Sequence, residues 1–313
     1  MNRTIDRRTF LERSTLAGAG AIVSTWIPGV LRGSPVTGPN ATICAVAGDR
    51  IFENTVAAVD ALGGMKRFVK QGQSVALLIN SVFDRPGTYV NPDIALAVVK
   101  MCLDAGAKSI VTLERTPDLY LVRGTAAGKL SREIGLIGRS SGRTDVKTGK
   151  GKIISEASVS PALLSADVFI NIPIIKDHRG VLYTGNLKNM MGACSSSTCQ
   201  RCHFGDSSFL AGVFKGYYSK PDVLAQSIAD LNLLRSPDLS VTDVTEILTT
   251  NGPAGPGKLK SPMLVVAGTN ALAVDMYCIS HLGLDPGEIL TIQRAQDHAL
   301  GPRSLKEVRL LAR

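Results

Sequence analysis

The densest group of chemically active side chains lies in the middle of the chain, directly after an apolar run at residues 168–172. Lys176 and His178 follow this run, and Lys188 and Asn189 come shortly afterwards. Two ammonium groups and an imidazole close together favour an anionic ligand, and an imidazole can transfer protons or bind a metal. We therefore predict that Lys176 and Asn189 bind a small anionic ligand and that His178 and Lys188 act on it.

Four further residues complete the predicted site. Thr184 and Gly185 precede Lys188, Asp275 follows an apolar run and a loop, and Asn251 opens a turn rich in Gly and Pro. Asp275 is predicted to be a catalytic carboxylate, and capping or orienting a helix is its alternative role. Thr184, Gly185 and Asn251 are predicted to bind the ligand. The turn after Asn251 is not a phosphate loop, because no Gly-Lys-Ser or Gly-Lys-Thr follows it.

A cluster of thiols and an imidazole comes next in the chain: Cys194, Cys199, Cys202 and His203. The run from Cys199 to His203 fits the pattern of covalent haem c attachment, with two thioether links and His203 as the iron ligand. Three Cys and one His also suit zinc or an iron–sulfur cluster. A disulfide or free thiols are the remaining alternative. We predict a metal centre at these four residues and rank haem c below zinc and iron–sulfur.

The elements that must position these groups alternate between strand-like and helix-like runs. Short apolar runs predict strands at residues 42–46, 74–80, 109–113, 168–172, 241–248 and 264–267. Residue spacing predicts helices at 53–70, 92–103, 162–165, 221–234, 271–282 and 286–299. Continuous apolar strands between helices imply an α/β fold with a mainly parallel sheet, helices on both faces and two Rossmann-like lobes. In such sheets, ligand-binding loops lie at the carboxyl ends of strands.

Two motifs in the central region resemble the hallmark of the bacterial and archaeal domain of unknown function 362 family. The first motif reads Asn171…Pro173…Lys176…His178, and the second reads Thr184-Gly185…Lys188-Asn189…Gly192. Family-like signatures follow at Asn251-Gly252-Pro253, Ala273-Val274-Asp275 and Gly301. The resemblance spans roughly residues 42–302. Because the family's activity is not settled, the resemblance implies no particular reaction.

A second, local resemblance is to the nickel-pincer lactate racemase family. That family places a His at the end of a strand and a Lys ten positions later, as His178 and Lys188 are placed here. In the racemases the Lys carries the cofactor and His residues do proton or metal work, so the resemblance implies a nickel cofactor. The Gly-Gly pair that surrounds the racemase motif is absent from this chain.

The excess of positive charge is confined to two segments of the chain. Its 313 residues have a formal net charge of +9. Residues 1–33 hold five Arg against two acidic residues, and residues 123–152 hold eight Lys and Arg against two acidic residues. The rest of the chain is balanced, and the second segment has no aromatic residues for base stacking. We therefore expect no nucleic-acid partner.

The first basic segment has the pattern of a twin-arginine export signal. Arg7 and Arg8 precede Thr-Phe-Leu and an apolar stretch rich in Gly and Ala. This stretch is broken and shorter than the roughly 20 residues of a membrane-spanning helix. We expect export by the twin-arginine translocase to the periplasm or another extracytoplasmic compartment, with membrane attachment only through an uncleaved signal.

These observations lead to two hypotheses about residues 34–313. In the first, they form the α/β domain of a metal- or cofactor-dependent enzyme, an oxidoreductase or isomerase, that acts on a small anionic ligand. This domain would have lobes at 41–170 and 171–313 and a basic insertion at 123–152. In the second, the protein is a non-catalytic carrier of iron–sulfur, zinc or haem c that meets a redox partner through residues 194–203.

Overall fold

The computed structural model describes residues 41–114, 116, 120–205 and 220–312, and its main feature is an eight-stranded sheet. The twin-arginine segment predicted at 1–33 lies outside the described residues. In chain order, the described strands are β1 (Thr42–Ala47), β2 (Ser74–Ile79), β3 (Ser109–Thr112), β4 (Ile137–Arg139), β5 (Thr144–Lys147), β6 (Glu156–Val159), β7 (Val168–Ile172), β8 (Lys176–His178), β9 (Leu182–Thr184), β10 (Leu239–Val244), β11 (Ile247–Leu248), β12 (Leu259–Lys260), β13 (Leu264–Gly268) and β14 (Arg309–Ala312).

The order of strands in the main sheet is β14-β1-β13-β10-β7-β2-β3-β4. Strand β13 is antiparallel to both of its neighbours, and every other neighbouring pair is parallel. The remaining strands form three antiparallel pairs, β5 with β6, β8 with β9 and β11 with β12. The prediction of a mainly parallel α/β sheet is therefore confirmed.

Both predicted lobes contribute strands to this one sheet. Residues 41–170 supply β1 to β4, residues 171–313 supply β10, β13 and β14, and β7 spans the predicted boundary. The basic segment 123–152 provides edge strand β4 and strand β5. The division into lobes stays a prediction.

Helices cover both faces of the sheet. In chain order, the described α-helices are α1 (Ile51–Ala61), α2 (Met65–Phe68), α3 (Pro92–Asp104), α4 (Ser131–Gly135), α5 (Pro161–Ser165), α6 (Asn186–Asn189), α7 (Ser196–Phe204), α8 (Pro221–Leu231), α9 (Ala271–Cys278) and α10 (Leu290–Asp297). On one face, Val75, Leu77 and Ile79 of β2 share a core with α1 and α3. On the other face, Ala76 and Leu78 share a core with α8 and α9. This alternation follows from the two-residue period of a strand.

Local sequence explains where two predicted elements are divided. The helix predicted at 53–70 ends as α1 at Ala61 and resumes as α2, because Gly63 and Gly64 take positive φ angles of 104° and 74°. The strand predicted at 241–248 is split into β10 and β11. At this break, Asp243 Oδ1 accepts a hydrogen bond of 2.7 Å from the backbone N–H of Thr245.

Candidate functional site

The predicted site lies where three parallel strands of the main sheet end. Asn80 follows β2, Glu114 follows β3, and the β8–β9 hairpin follows β7. Because β2 pairs in parallel with both β3 and β7, the carboxyl ends of these strands meet at one edge. This is the edge at which open α/β sheets bind ligands.

The β8–β9 hairpin directs Lys176 and His178 inward and Asp177 toward a neighbouring loop. Lys176 and His178 are each 1% exposed, as two residues of the same strand face are expected to be. Asp177 Oδ2 accepts a hydrogen bond of 2.7 Å from the N–H of Gly252. A Cβ at Gly252 would lie 1.7 Å from the Asp177 carbonyl oxygen, so only glycine fits this close approach.

Asn251 shapes this loop and does not face the buried residues. It is exposed, it has a positive φ of 59°, and its amide nitrogen donates a hydrogen bond of 3.1 Å to the Pro256 carbonyl. The structure therefore separates Asn251 from the other residues that were predicted to bind the ligand.

Helix α6 carries Lys188 and Asn189 and is held by Asp275. One carboxylate oxygen of Asp275 accepts hydrogen bonds from the Asn186 N–H at 2.7 Å and the Tyr183 hydroxyl at 3.0 Å. The other accepts a bond of 2.9 Å from the Leu187 N–H. Asp275 is 1% exposed, so it positions the helix and has the helix-orienting role that was the alternative to catalysis.

Gly185 lets the start of α6 lie close to Asp275. A Cβ there would lie 2.3 Å from Asp275 Oδ1 and 2.4 Å from the Tyr183 hydroxyl. The absence of a side chain therefore lets the backbone approach the buried carboxylate, and this packing explains why a glycine stands in the second motif.

A chain of buried amides links the strand ends to α6. Asn189 donates to Asn171 Oδ1 at 2.7 Å and to the Leu78 carbonyl at 3.1 Å, and it accepts from Asn80 at 3.2 Å. Asn171 donates in turn to the Asn186 carbonyl at 3.0 Å. Both amide hydrogens of Asn189 are therefore engaged with the protein, and this residue fixes the position of α6 relative to β2 and β7.

The ammonium group of Lys176 is enclosed by acceptors from the chain. It donates to the Thr88 carbonyl and to Asn80 Oδ1, and it lies 4.8 Å from the centre of the Phe83 ring. Burial, together with the positive charge of Lys188, lowers the pKa of Lys176 to about 7. Lys176 therefore changes charge near neutral pH.

Thr184 lies directly across the hairpin from Lys176. The two residues are paired in the register of β8 and β9, so their side chains share one face. Thr184 is 2% exposed, and its hydroxyl oxygen has no hydrogen-bond partner among the described residues. A buried hydroxyl of this kind is available to a ligand.

Glu114 belongs to the site and was missed in the sequence. Burial raises the pKa of its carboxyl to about 8, while Lys176 and Lys188 act in the opposite direction. A Cβ at Gly192 would lie 2.7 Å from Glu114 Oε2, so the glycine makes room for this carboxyl group. The signal available in the sequence was an acidic residue directly after an apolar strand.

The two histidines connect the group of polar residues after β7, which contains His178, with the cysteine cluster, which contains His203. Burial, together with the charges of Lys188, His203 and Lys176, lowers the pKa of His178 to about 2. Burial and Lys188 lower the pKa of His203 to about 4. Both imidazoles are therefore neutral at pH 7, and the acid–base or metal-binding role of His178 stays a prediction. We call Glu114, Lys176, His178, Lys188 and His203 the strand-end site.

Three thiols lie beside this site. Burial raises the pKa of Cys199 to about 11 and that of Cys202 to about 12, and it also raises the pKa of Cys194. Cys199 Sγ donates to the Met191 carbonyl at 3.3 Å, and Cys194 Sγ donates to the Met190 carbonyl at 3.6 Å. All three are free thiols, which was one form of the alternative to a metal centre.

The thiols and His203 do not form a metal-binding arrangement. In the described part of the chain, no three His, Cys, Asp or Glu side chains are placed to hold a metal ion. Cys199 and Cys202 lie on α7, and Cys202 is fully buried in the core. Haem c requires a thioether bond to each cysteine, and the haem edge would have to enter the core to reach Cys202. The residues therefore do not fit a metal centre or haem c in this fold.

A family model matches the part of the chain that contains this site. The model of a family described as domain of unknown function (DUF362) matches residues 75–280, which include the whole strand-end site. The thylakoid-associated protein sll1697 of Synechocystis sp. is 27% identical over 254 residues, 78% of this chain and 74% of the relative. None of the described helices is long and apolar enough to cross a membrane.

Two solved structures are similar to part of this chain. The lactate racemase apoprotein of Thermoanaerobacterium thermosaccharolyticum has a TM-score of 0.39 and 11% identity, and the match covers 64% of this chain and 50% of the racemase. A Thermotoga maritima protein has a TM-score of 0.35 and 16% identity, and the match covers 63% of this chain and 51% of that protein. The chain thus spans about half the length of each solved structure.

Proposed function

This chain belongs to the DUF362 family of domains of unknown function, and we propose that it is an enzyme that binds a small anionic ligand at the strand-end site. The observation on which the proposal rests is the grouping of two lysines, a carboxyl group and two neutral imidazoles where β2, β3 and β7 end. Such a concentration of groups with perturbed pKa values is typical of active sites.

The charges in the site support an anionic ligand. The pKa of Lys176 is about 7, so part of the protein carries its ammonium at neutral pH. Glu114 has a pKa of about 8 and is mostly protonated there, so it does not cancel the positive charge. The Thr184 hydroxyl on the same hairpin face supplies a hydrogen-bond donor for the ligand.

The same groups support proton transfer. Glu114 and Lys176 change protonation state within about one pH unit of neutrality, which is the range that favours a general acid or base. His178 and His203 remain neutral and can orient a ligand through hydrogen bonds. The proposed reaction therefore uses acid–base groups of the chain, and no step is assigned to a metal or a nickel cofactor.

Calorimetric titration with propionate tests the proposal. We expect the wild-type protein to bind propionate at pH 6, and Lys176→Met to weaken binding about tenfold or more because it removes the buried positive charge. Lys100→Met is the matched control, since Lys100 lies on the surface in an ion pair with Asp104. Equal affinity of the Lys176→Met variant and the wild-type protein would contradict the proposal.

We also propose that the protein is exported by the twin-arginine route. The pattern around Arg7 and Arg8 supports this proposal, and the name of the Synechocystis relative associates that protein with thylakoids. Residues 1–33 fused to a folded reporter are expected to direct its export. Replacing both Arg7 and Arg8 with Lys should abolish it, and export that survives this change would argue against the signal.

A further inference from the structure

The two lysines of the strand-end site have different surroundings. Lys176 donates to the Thr88 carbonyl and Asn80 Oδ1 and faces the Phe83 ring, so its amine is engaged by the chain. Lys188 is partly exposed, and its amine has no hydrogen-bond partner among the described residues. Lys176 is thus suited to supply charge, and Lys188 is suited to react.

The backbone beside Lys188 is fixed on both sides. The Leu187 N–H donates to Asp275 Oδ2 at 2.9 Å, and the Leu187 carbonyl accepts from Asn232 Nδ2 at 2.9 Å. Asn189, the residue after Lys188, is held to β2 and β7 by its amide hydrogen bonds. The backbone that carries the Lys188 side chain is therefore held in a fixed position at the site.

We propose that Lys188 is the nucleophile of this site and that its amine condenses with the carbonyl group of a small oxo acid to form an imine. This inference rests on the proposed function, and it names the substrate class of the same site. A lysine that is desolvated beside a second cationic group is the form that reacts with carbonyl compounds. Burial lowers the pKa of Lys188, which supports the presence of the neutral amine.

The chemical step balances with groups of the site. The nitrogen lone pair of Lys188 attacks the carbonyl carbon, a C–N bond forms, and the C=O bond becomes a hydroxyl after proton transfer from nitrogen to oxygen. The Glu114 carboxyl then protonates this hydroxyl, which leaves as water, and the nitrogen is left as a protonated imine. No electron is gained or lost. The positive charge of Lys176 stabilises the carboxylate of the oxo acid without a direct hydrogen bond to it.

Reductive trapping tests the inference. The full chain is incubated with pyruvate and sodium cyanoborohydride, which reduces an imine to a stable secondary amine, and the modified lysine is located by peptide mass spectrometry. We expect the adduct at Lys188, with little at Lys100, which reports the background at an exposed lysine. Excess propionate, which has the carboxylate but no carbonyl, should suppress the adduct.

A variant without a reactive amine tests the assignment to Lys188. Lys188→Arg has a guanidinium in place of the amine and is expected to lose the adduct. Propionate competition in the wild-type protein reports ligand binding without any variant. An adduct at Lys100 equal to that at Lys188, or one that propionate does not suppress, would overturn the inference. Propionate binding without an adduct would refute imine formation and leave the proposed function standing, whereas absence of binding would refute both.

Discussion

Replacement of Lys176 by Met should change the stability of the protein in a direction that depends on pH. Lys176 is 1% exposed, and its pKa falls from an ordinary value of 10.5 to about 7 on folding. At about 1.4 kcal/mol for each pKa unit, the buried ammonium costs the folded state about 5 kcal/mol below pH 7. This cost declines as the pH rises from 7 to 10.5, because the folded protein then binds fewer protons than the unfolded chain.

The variant removes this cost and introduces a smaller one. The Thr88 carbonyl and Asn80 Oδ1 lose the donor that Lys176 provides, at about 2–3 kcal/mol in total. We expect Lys176→Met to be about 2 kcal/mol more stable than the wild-type protein at pH 6. At pH 10 most of the ionisation cost is gone, so the variant should be less stable than the wild-type protein by about 2 kcal/mol.

Urea unfolding at both pH values measures the effect. The free energies of unfolding of the two proteins are compared at each pH, with Lys100→Met as a control for loss of an exposed lysine. The control should differ from the wild-type protein by about 0.5 kcal/mol or less at either pH. If the difference between Lys176→Met and the wild-type protein is the same at pH 6 and pH 10, the reasoning about the buried ammonium is refuted.

Three further predictions concern the residues around the site. Asp275→Ala should lower the free energy of unfolding by about 3–5 kcal/mol in urea, because several buried donors at α6 lose their acceptor; unchanged stability would contradict its positioning role. Glu114→Gln removes a carboxyl group that is mostly protonated where Lys176 titrates, so the pH midpoint at which propionate binding is lost should stay close to that of the wild-type protein; a large shift of this midpoint would contradict the raised pKa of Glu114. Cys199 should react with iodoacetamide before Cys202, since Cys199 is partly exposed and has the lower pKa; a peptide time course in which Cys202 reacts first would refute this.

The limits of sequence reasoning are clearest at Asp275 and His178. A carboxylate in a family-like motif was predicted to be catalytic. Asp275 is buried, and its oxygens accept hydrogen bonds from the Tyr183 hydroxyl and from backbone N–H groups at the start of α6. An imidazole beside two lysines was predicted to transfer protons, yet burial lowers the pKa of His178 to about 2. Both roles depend on solvent access, and that is a property of the packed chain.

Glu114 is a residue of the site that the sequence did not predict. Nothing in its sequence neighbourhood sets it apart from other acidic residues that follow a strand. It enters the site because β3 pairs with β2 in parallel, which places the end of β3 beside the loops that follow β2 and β7. The pairing partner of a strand is decided by contacts between residues far apart in the chain, and local periodicity does not report it.

The sequence by itself determined the apolar strands, most of the helices and the spacing that places Lys176, His178 and Lys188 after β7. These features depend on residue periods and on glycine and proline positions, which act over a few neighbouring residues. Only the tertiary structure decided that Glu114 and His203 join those residues, that the thiols do not form a metal centre, and that Lys176 and Lys188 differ in their surroundings. The physical reason is that burial and charge coupling arise where distant segments meet, and these interactions set the protonation state and availability of each group.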